Sequence, residues 1–272
     1  MFNHLPAHDY AGGHLTVLES VDSTNNYAMA RVRTGLAKHG DAFFAMAQLK
    51  GKGQRGKSWL TERGTNIIIS LVMRPQGLAV EQQFAFSAAV ALGVHDFFSG
   101  YAGNETYVKW PNDIYWRDRK AGGILIESIV GSRESEAGTK GERLQTTDYR
   151  LGTNSWQWAI VGMGININQT VFPEEIRNVV SLKQITGKDW EVIELAKALC
   201  ERVMQRYKKL NTDPDWLQEY NNRLYKKDQV VKFRKGNRVF EARVKAVNRV
   251  GELVLDTGME EYFGFGEIEW VL

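Results

Sequence analysis

The sequence has too few cysteines for a disulfide framework or a cysteine-bound zinc site. Cys200 is the only cysteine among 272 residues, so an intramolecular disulfide is excluded. No apolar run approaches the roughly 20 residues that a membrane-spanning helix needs, and the N-terminus lacks the charged and apolar segments of a signal peptide. These absences predict a cytoplasmic protein that contacts no membrane.

The chain also lacks a strong charge of either sign. Its 35 Lys and Arg residues against 32 Asp and Glu residues leave a net charge of +3, too little to indicate a polyanionic partner. Hydrophobic residues at 43% and charged residues at 25% are ordinary globular values. A chain this long buries about three quarters of its unfolded surface. It therefore needs no disulfide or structural metal to fold. Its length suits one large domain plus a small one, or two comparable domains.

The first 224 residues contain both predicted strands and predicted helices. A tail through Gly13, with His4, His8 and His14 as tail residues rather than metal ligands, precedes the first strand. Residues 131–155 have little apolar content and no period, which predicts an exposed, mobile hairpin extension. Hydrophobic patterning predicts strands over 14–18, 41–48, 66–73, 106–110, 114–116, 123–130 and 156–167, and helices over 22–36, 81–101, 189–210 and 214–224.

The last 45 residues or so change character. Turn signals around Gly236, Gly251 and Gly258 separate short alternating stretches. The predicted strands are 229–233, 238–247, 252–255 and 261–265. Closely spaced strands of this kind predict a small SH3-like β-barrel, so we expect a large domain over 1–224 and a small one over 225–272.

A glycine-rich basic loop, Gly51 to Ser58 (GKGQRGKS), is the most informative segment. Its glycines let backbone amides approach a ligand, and its cations neutralise phosphate charge. The spacing fits both the P-loop and the dinucleotide-binding pattern, but both patterns require a helix to begin at the loop. Here a β-branched strand follows instead. We therefore predict a flexible cationic loop between two strands, able to fold over an anionic ligand.

Two further clusters gather polar side chains beside glycine or proline. Lys109–Asp113 (KWPND) is followed by Lys120, which precedes the small residues of an apolar strand. Gly162–Asn168 (GMGININ) ends another strand, and alternation would point Asn166 and Asn168 the same way. Each cluster alone also suits a hairpin corner, a gatekeeper lysine or a polar strand end. Together and in this order, the clusters indicate a site for an anionic ligand that contains adenine.

These blocks together resemble the biotin–protein ligases that lack a DNA-binding domain. The matching segments are Glu19–Asn25 (ESVDSTN), Gln48 with Gly51–Trp59, Lys109–Asp113, Arg119–Glu127 and Gly162–Asn166. The resemblance implies an α+β fold, with a mixed sheet and flanking helices like those of class II aminoacyl-tRNA synthetases, and a C-terminal SH3-like barrel. It implies ATP and Mg²⁺ as well. Biotin would be activated to biotinyl-5′-AMP and then transferred to a lysine of a biotin carboxyl carrier domain.

The resemblance also assigns candidate site residues. Lys52 and Lys120 would be catalytic, because cations between a carboxylate and a triphosphate offset the repulsion of the two anions. Residues implied for biotin are Ser23, Thr24, Asn25, Gln48, Gly51, Lys120 and Gly123. Residues implied for the nucleotide are Lys52, Gln54, Arg55, Trp59, Lys109, Asn112, Asp113 and Asn166. The Mg²⁺ ligands, the carrier and the oligomeric state, a homodimer included, stay open.

The chain departs from the family pattern in its basic loop. Lys52 and Gln54 stand where the family usually has two arginines, so the bidentate fork and the second cation are missing. Only about 14 residues precede the first predicted strand, too few for the helix-turn-helix domain of regulatory members, which predicts no DNA binding. The alternatives are a lipoate–protein ligase of the same fold and, less favoured, a non-catalytic module that binds single-stranded nucleic acid.

Overall fold

The computed structural model describes residues 8–132 and 154–271, which form a large mixed sheet with helices and a smaller C-terminal sheet. The larger sheet has eight strands in the order β1-β2-β3-β4-β8-β7-β6-β5. Its strands are β1 (His8–Tyr10), β2 (Gly13–Leu18), β3 (Ala42–Ala45), β4 (Ile67–Met73), β5 (Thr106–Lys109), β6 (Asp113–Trp116), β7 (Arg119–Ser132) and β8 (Asn154–Ile165). The helices are α1 (Thr24–Arg33), α2 (Gln83–Ala102), α3 (Leu182–Thr186), α4 (Val192–Lys209) and α5 (Trp216–Asn222). The predicted α+β class is confirmed.

The sheet carries helices on both faces because alternate strand residues point opposite ways. Phe43 and Val72 pack with α1 in one apolar cluster, whereas Phe44 and Leu71 pack with α2 and α4 in the other. Both faces of β3 and β4 are therefore buried, and their sequences read as continuous apolar runs rather than alternating ones. The helix α2 is apolar nearly all round because it lies between the sheet and α4.

The prediction of a tail through Gly13 is wrong for residues 8–13. β1 pairs antiparallel with β2, with His8 opposite Leu15 and Tyr10 opposite Gly13. The Tyr10 hydroxyl donates to the Gly40 carbonyl at 2.5 Å, which ties the edge hairpin to the domain. A three-residue strand has no readable period, so the pairing was invisible in the sequence. His4 and most of the predicted hairpin extension, residues 133–153, lie outside the described residues.

The C-terminal sheet has five strands in the order β12-β11-β10-β9-β13. These are β9 (Val230–Lys235), β10 (Arg238–Val247), β11 (Leu253–Asp256), β12 (Glu260–Phe263) and β13 (Glu269–Val271). Four of them were predicted, and β13 was missed because its three residues carry no pattern. The described pairings do not close the sheet into a barrel. The domain boundary near residue 224 stays a prediction. Among the described residues, no helix is long and apolar enough to cross a membrane.

Candidate functional site

A cavity of about 350 Å³ lies over the middle of the large sheet, a size typical of small-ligand sites. β4, β7 and β8 form its floor. The start of α1, the basic loop, the turn between β5 and β6, and the last C-terminal strand form its walls. The lining residues include Ser23, Thr24, Asn25, Gln48, Lys52, Gln54, Arg55, Lys57, Trp59, Lys109, Asn112, Asp113, Lys120, Gly123, Gly162, Gly164, Phe265, Glu269 and Trp270. The three glycines lie on the floor, where they let neighbouring side chains pack closely.

The basic loop is a tight hairpin and not the start of a helix. Trp59 N donates to Gly51 O at 2.9 Å and Gly53 N to Lys57 O at 2.6 Å. Between them Arg55 adopts a left-handed φ of 54°, and Lys57 returns to extended backbone. Because no helix begins at Lys57, the sequence-based exclusion of a P-loop is confirmed. Gly51 lies just behind the wall. A Cβ on this residue would lie 2.2 Å from Trp59 O.

One end of the cavity is neutral and polar. Ser23 occupies the N-cap of α1 without making a side-chain cap bond, and the residue lines the cavity. Thr24 N donates to Gln48 Oε1 at 2.8 Å, which holds that amide against the helix. Asn25 packs so closely on Gly162 that a Cβ there would lie 2.3 Å from Asn25 Oδ1. These side chains offer hydrogen bonds and no net charge.

The rest of the wall is cationic. Five cations and two carboxylates line the cavity. Lys120 Nζ lies 2.7 Å from Asp113 Oδ1, and Gly123 lets the pair approach, since a Cβ there would lie 3.3 Å from that oxygen. Lys52 Nζ donates to Asn26 Oδ1 at 2.5 Å. The excess of positive charge suits a phosphate-bearing ligand.

Lys109 is the most strongly perturbed cation of the cavity. Burial lowers the pKa of its ammonium to about 8, and the positive charges of Lys120 and Lys57 act in the same direction. The nearby carboxylate of Asp113 opposes the shift. Its Nζ lies 4.9 Å from the Tyr115 ring centroid, which offsets part of the lost hydration. An anionic ligand bound beside this ammonium would raise its pKa again.

Trp59 covers the floor of the cavity. Its indole lies on Gly164, where a Cβ would meet the ring at 2.5 Å, and it touches Gly123. Lys120 Nζ stands 5.7 Å from the ring centroid. The indole Nε1 is buried and has no hydrogen-bond partner among the described residues. Gly123 and Gly164, on adjacent strands, thus leave the space that the Trp59 indole occupies.

The two asparagines predicted for the nucleotide lie in different places. Asn112 is on the wall, and its Nδ2 donates to the Ile124 carbonyl of β7. Asn166 is only 3% exposed and stands behind the wall, donating to Val180 O at 3.2 Å. The prediction extended the alternation of the strand to Asn166, but β8 already ends at Ile165. Asn168 donates to Trp190 O and accepts from Trp190 N, and it does not line the cavity either.

Sequence reasoning missed the residues that the C-terminal domain supplies. Phe265, Glu269 and Trp270 reach the cavity wall. Trp270 Nε1 donates to Trp110 O at 3.3 Å, and Arg55 pairs with Glu269 at 3.6 Å. No local motif marks these residues, because they lie more than 140 positions from the residues they meet. Among the described residues, no group of three or more His, Cys, Asp or Glu side chains is arranged to hold a metal ion.

Comparisons with known proteins agree with this geometry. Residues 17–141 match the model of the Biotin/lipoate A/B protein ligase family. The chain is 38% identical over 117 residues to the Bifunctional ligase/repressor BirA of Escherichia coli, covering 43% of this chain and 35% of that protein. It is 39% identical over 116 residues to the Biotin–[acetyl-CoA-carboxylase] ligase of Paracoccus denitrificans, covering 41% and 46%. The chain thus spans less than half the length of these curated relatives.

The fold matches a solved structure along nearly its whole length. The biotin protein ligase from Aquifex aeolicus, solved in complex with biotin and ATP, superposes with a TM-score of 0.72 and 23% identity. The match covers 94% of this chain and 99% of that one, so the C-terminal sheet is part of the shared fold. Residues 17–141 are therefore similar to the biotin/lipoate A/B protein ligase family, within a fold that this chain shares with a biotin protein ligase.

Proposed function

We propose that the protein is a biotin–protein ligase. In the first half-reaction the biotin carboxylate attacks the α-phosphorus of ATP and pyrophosphate leaves, which yields biotinyl-5′-AMP. In the second, a lysine amine of a carrier protein attacks the mixed anhydride, an amide bond forms and AMP leaves. No protein nucleophile is needed, because the acid is activated on the nucleotide itself.

The observation that carries this proposal is the combination of two chemistries in one cavity. Ser23, Thr24 and Gln48 offer neutral hydrogen-bonding groups beside the start of α1, which suits a ureido ring whose polar atoms must be satisfied when buried. Lys109 and Lys120 line the same cavity, which suits phosphates. A ligand that joins a neutral polar head to a phosphorylated nucleotide matches both groups of side chains.

The cations supply the main catalytic effect in this proposal. Lys52 and Lys120 would hold the carboxylate and the α-phosphate oxygens together and stabilise the charge that develops during transfer; such prepositioned groups each contribute about 10²–10³ in rate. Gly51, Asn25 and Gly123 would shape the biotin end. The remaining candidates for the nucleotide are Gln54, Arg55, Trp59, Lys109, Asn112 and Asp113. The loop would exclude water, because the mixed anhydride hydrolyses easily.

The partners follow from the same chemistry. We propose Mg²⁺ as an ion that enters with the ATP phosphates, since such ions need only one or two protein carboxylates; Asp113 is the candidate on the wall. Bound there, Mg²⁺ would neutralise phosphate charge. The protein substrate would be the biotin carboxyl carrier domain of a biotin-dependent carboxylase. A cytoplasmic location is supported by the lone buried thiol of Cys200, which requires no oxidising compartment.

Pyrophosphate exchange tests the first half-reaction. The protein is incubated with MgATP, labelled pyrophosphate and one carboxylic acid at a time, including biotin and lipoate. Biotin is expected to support exchange, and a carrier domain added next should gain the mass of one biotin. Exchange with lipoate and none with biotin would transfer the proposal to the lipoate ligases of the same family. Exchange with neither acid would refute an acyl-adenylate function.

A further inference from the structure

A chain of hydrogen bonds with a buried centre runs along the neutral end of the cavity. It runs from Glu127 on β7 through Asn25, Ser70 on β4 and Thr24 to Gln48, and we name these five residues the polar chain. Asn25 Nδ2 is 2.7 Å from Glu127 Oε2, and Ser70 Oγ is 2.5 Å from Asn25 Oδ1 and 2.8 Å from Thr24 Oγ1. Ser70 is fully buried. Ser70 and Glu127 do not line the cavity, and neither of them was assigned a role from the sequence.

The carboxylate of Glu127 sets the direction of the first bonds. An ionised carboxylate accepts hydrogen bonds and donates none, so the atom of Asn25 that faces it must be the amide nitrogen. The opposite atom of that amide, Oδ1, then faces Ser70 and accepts only. The single hydroxyl proton of Ser70 is therefore directed to Asn25.

The same reasoning continues to the cavity wall. Because Ser70 has given its proton to Asn25, its oxygen accepts from Thr24, and the Thr24 hydroxyl proton is committed to Ser70. Thr24 Oγ1 and Gln48 Oε1, which lie 3.3 Å apart, are then two acceptors, and Gln48 Oε1 is satisfied by Thr24 N–H. The Nε2 group of Gln48 lies on the other side, next to Gly51.

The polar chain thus leaves one acceptor, the lone pairs of Thr24 Oγ1, and one donor, Gln48 Nε2, at the neutral end. We propose that Ser70 and Glu127 are positioning residues that fix this polarity and thereby select a cyclic urea, which has both an N–H donor and a carbonyl acceptor. A dithiolane ring has neither group. This inference rests on the proposed function and extends it to the choice between the two acid classes of the family.

Direct titration of biotin by calorimetry tests the inference. In Ser70→Ala the Thr24 proton loses its acceptor and turns toward Gln48 Oε1, so the Thr24 lone pair is no longer held for the ligand. We expect biotin affinity to fall about tenfold, the equivalent of one hydrogen bond. The KM for ATP, measured by pyrophosphate exchange at saturating biotin, should stay within twofold. Desthiobiotin, which keeps the urea, should lose the same factor.

Glu127→Gln provides an independent variant. A glutamine amide offers an oxygen or a nitrogen to Asn25, so the Asn25 orientation then rests on the longer bond from Asn25 Nδ2 to Leu125 O at 3.4 Å. Its biotin affinity should also fall, and the loss in the double variant should be smaller than the product of the two single losses, because both act through Asn25. Glu127 also lies 3.9 Å from Lys52 Nζ, so an increase in KM for ATP is expected in this variant and not in Ser70→Ala.

Ser128→Ala is the matched control. Ser128 is on the same strand as Glu127, and its hydroxyl accepts from Gln83 on α2 instead of joining the polar chain; biotin affinity should not change. Failure of the unmodified protein to bind biotin would overturn the proposed function together with this inference. Biotin binding that survives in Ser70→Ala within twofold, or that falls equally in Ser128→Ala, would overturn the inference alone. Thermal unfolding checks the fold of each variant. If Ser70→Ala does not fold, the biotin affinity of Glu127→Gln tests the inference in its place.

Discussion

Lys109 should make ATP binding and protein stability respond to pH in opposite directions. Its pKa is about 8 in the ligand-free cavity, against about 10.5 in an unfolded chain. A bound triphosphate places negative charge near the ammonium and raises its pKa again. Between pH 7 and pH 9 the protonated fraction of free Lys109 falls from about nine tenths to one tenth. ATP affinity should therefore fall up to about tenfold over this range.

Stability should change the other way. A lysine whose pKa is lowered on folding destabilises the folded state at low pH, where both states bind the proton. As pH rises from 8 toward 10.5 the folded protein has already released the proton, so the free energy of unfolding rises by up to about 3 kcal/mol from this group. Urea unfolding of the ligand-free protein at fixed ionic strength measures this increase.

Lys109→Arg is the control for both measurements, because a guanidinium keeps its charge over the whole range. The KM for ATP, from pyrophosphate exchange at pH 7 to 9, should lose its pH dependence in this variant. Working above pH 7 keeps the terminal phosphate of ATP largely ionised. A flat profile in the unmodified protein, or an equal slope in Lys109→Arg, would refute the assignment of Lys109 to the triphosphate.

Three further predictions address the site and the core. Lys120→Ala should lower the rate of adenylate formation by about 10²–10³ with an unchanged melting temperature, and an unaltered pyrophosphate-exchange rate would remove Lys120 from the mechanism. Gly164→Ala puts a Cβ 2.5 Å from the Trp59 ring, so the indole must move. Titration should then show weaker biotin binding. Unchanged affinity would show that the position of the Trp59 indole is unimportant for biotin. Gly93→Ala puts a Cβ 2.7 Å from the Val203 backbone where α2 meets α4 and should cost about 1–3 kcal/mol. In the same urea titration, Gly100→Ala, with open space around it, should gain about 0.5–1 kcal/mol; equal effects at the two glycines would contradict the helix contact.

Helices and long strands were predictable because their apolar periodicity is local. The β-branched run Ile67–Met73 and the amphipathic Val192–Lys209 were found within a few residues of their ends. The short elements β1, α3 and β13 were not found, since three to five residues show at most one or two repeats of a strand or helix period. Asn166 shows the limit of the same reasoning, because alternation fails as soon as a strand ends.

The amino-acid order alone determined the two chemistries of the site. Gly51–Ser58 and Lys109–Asp113 place cations beside glycine or proline. The charge of these side chains can be read from the sequence because it does not depend on the fold. Only tertiary structure decided how those groups are oriented and what completes them. Glu127 on β7 and Ser70 on β4, two strands separated by β8, contact Asn25 and Thr24, and Trp270 reaches the cavity from the far end of the chain. Hydrogen-bond direction and burial arise from groups distant in sequence, so no local pattern contains them.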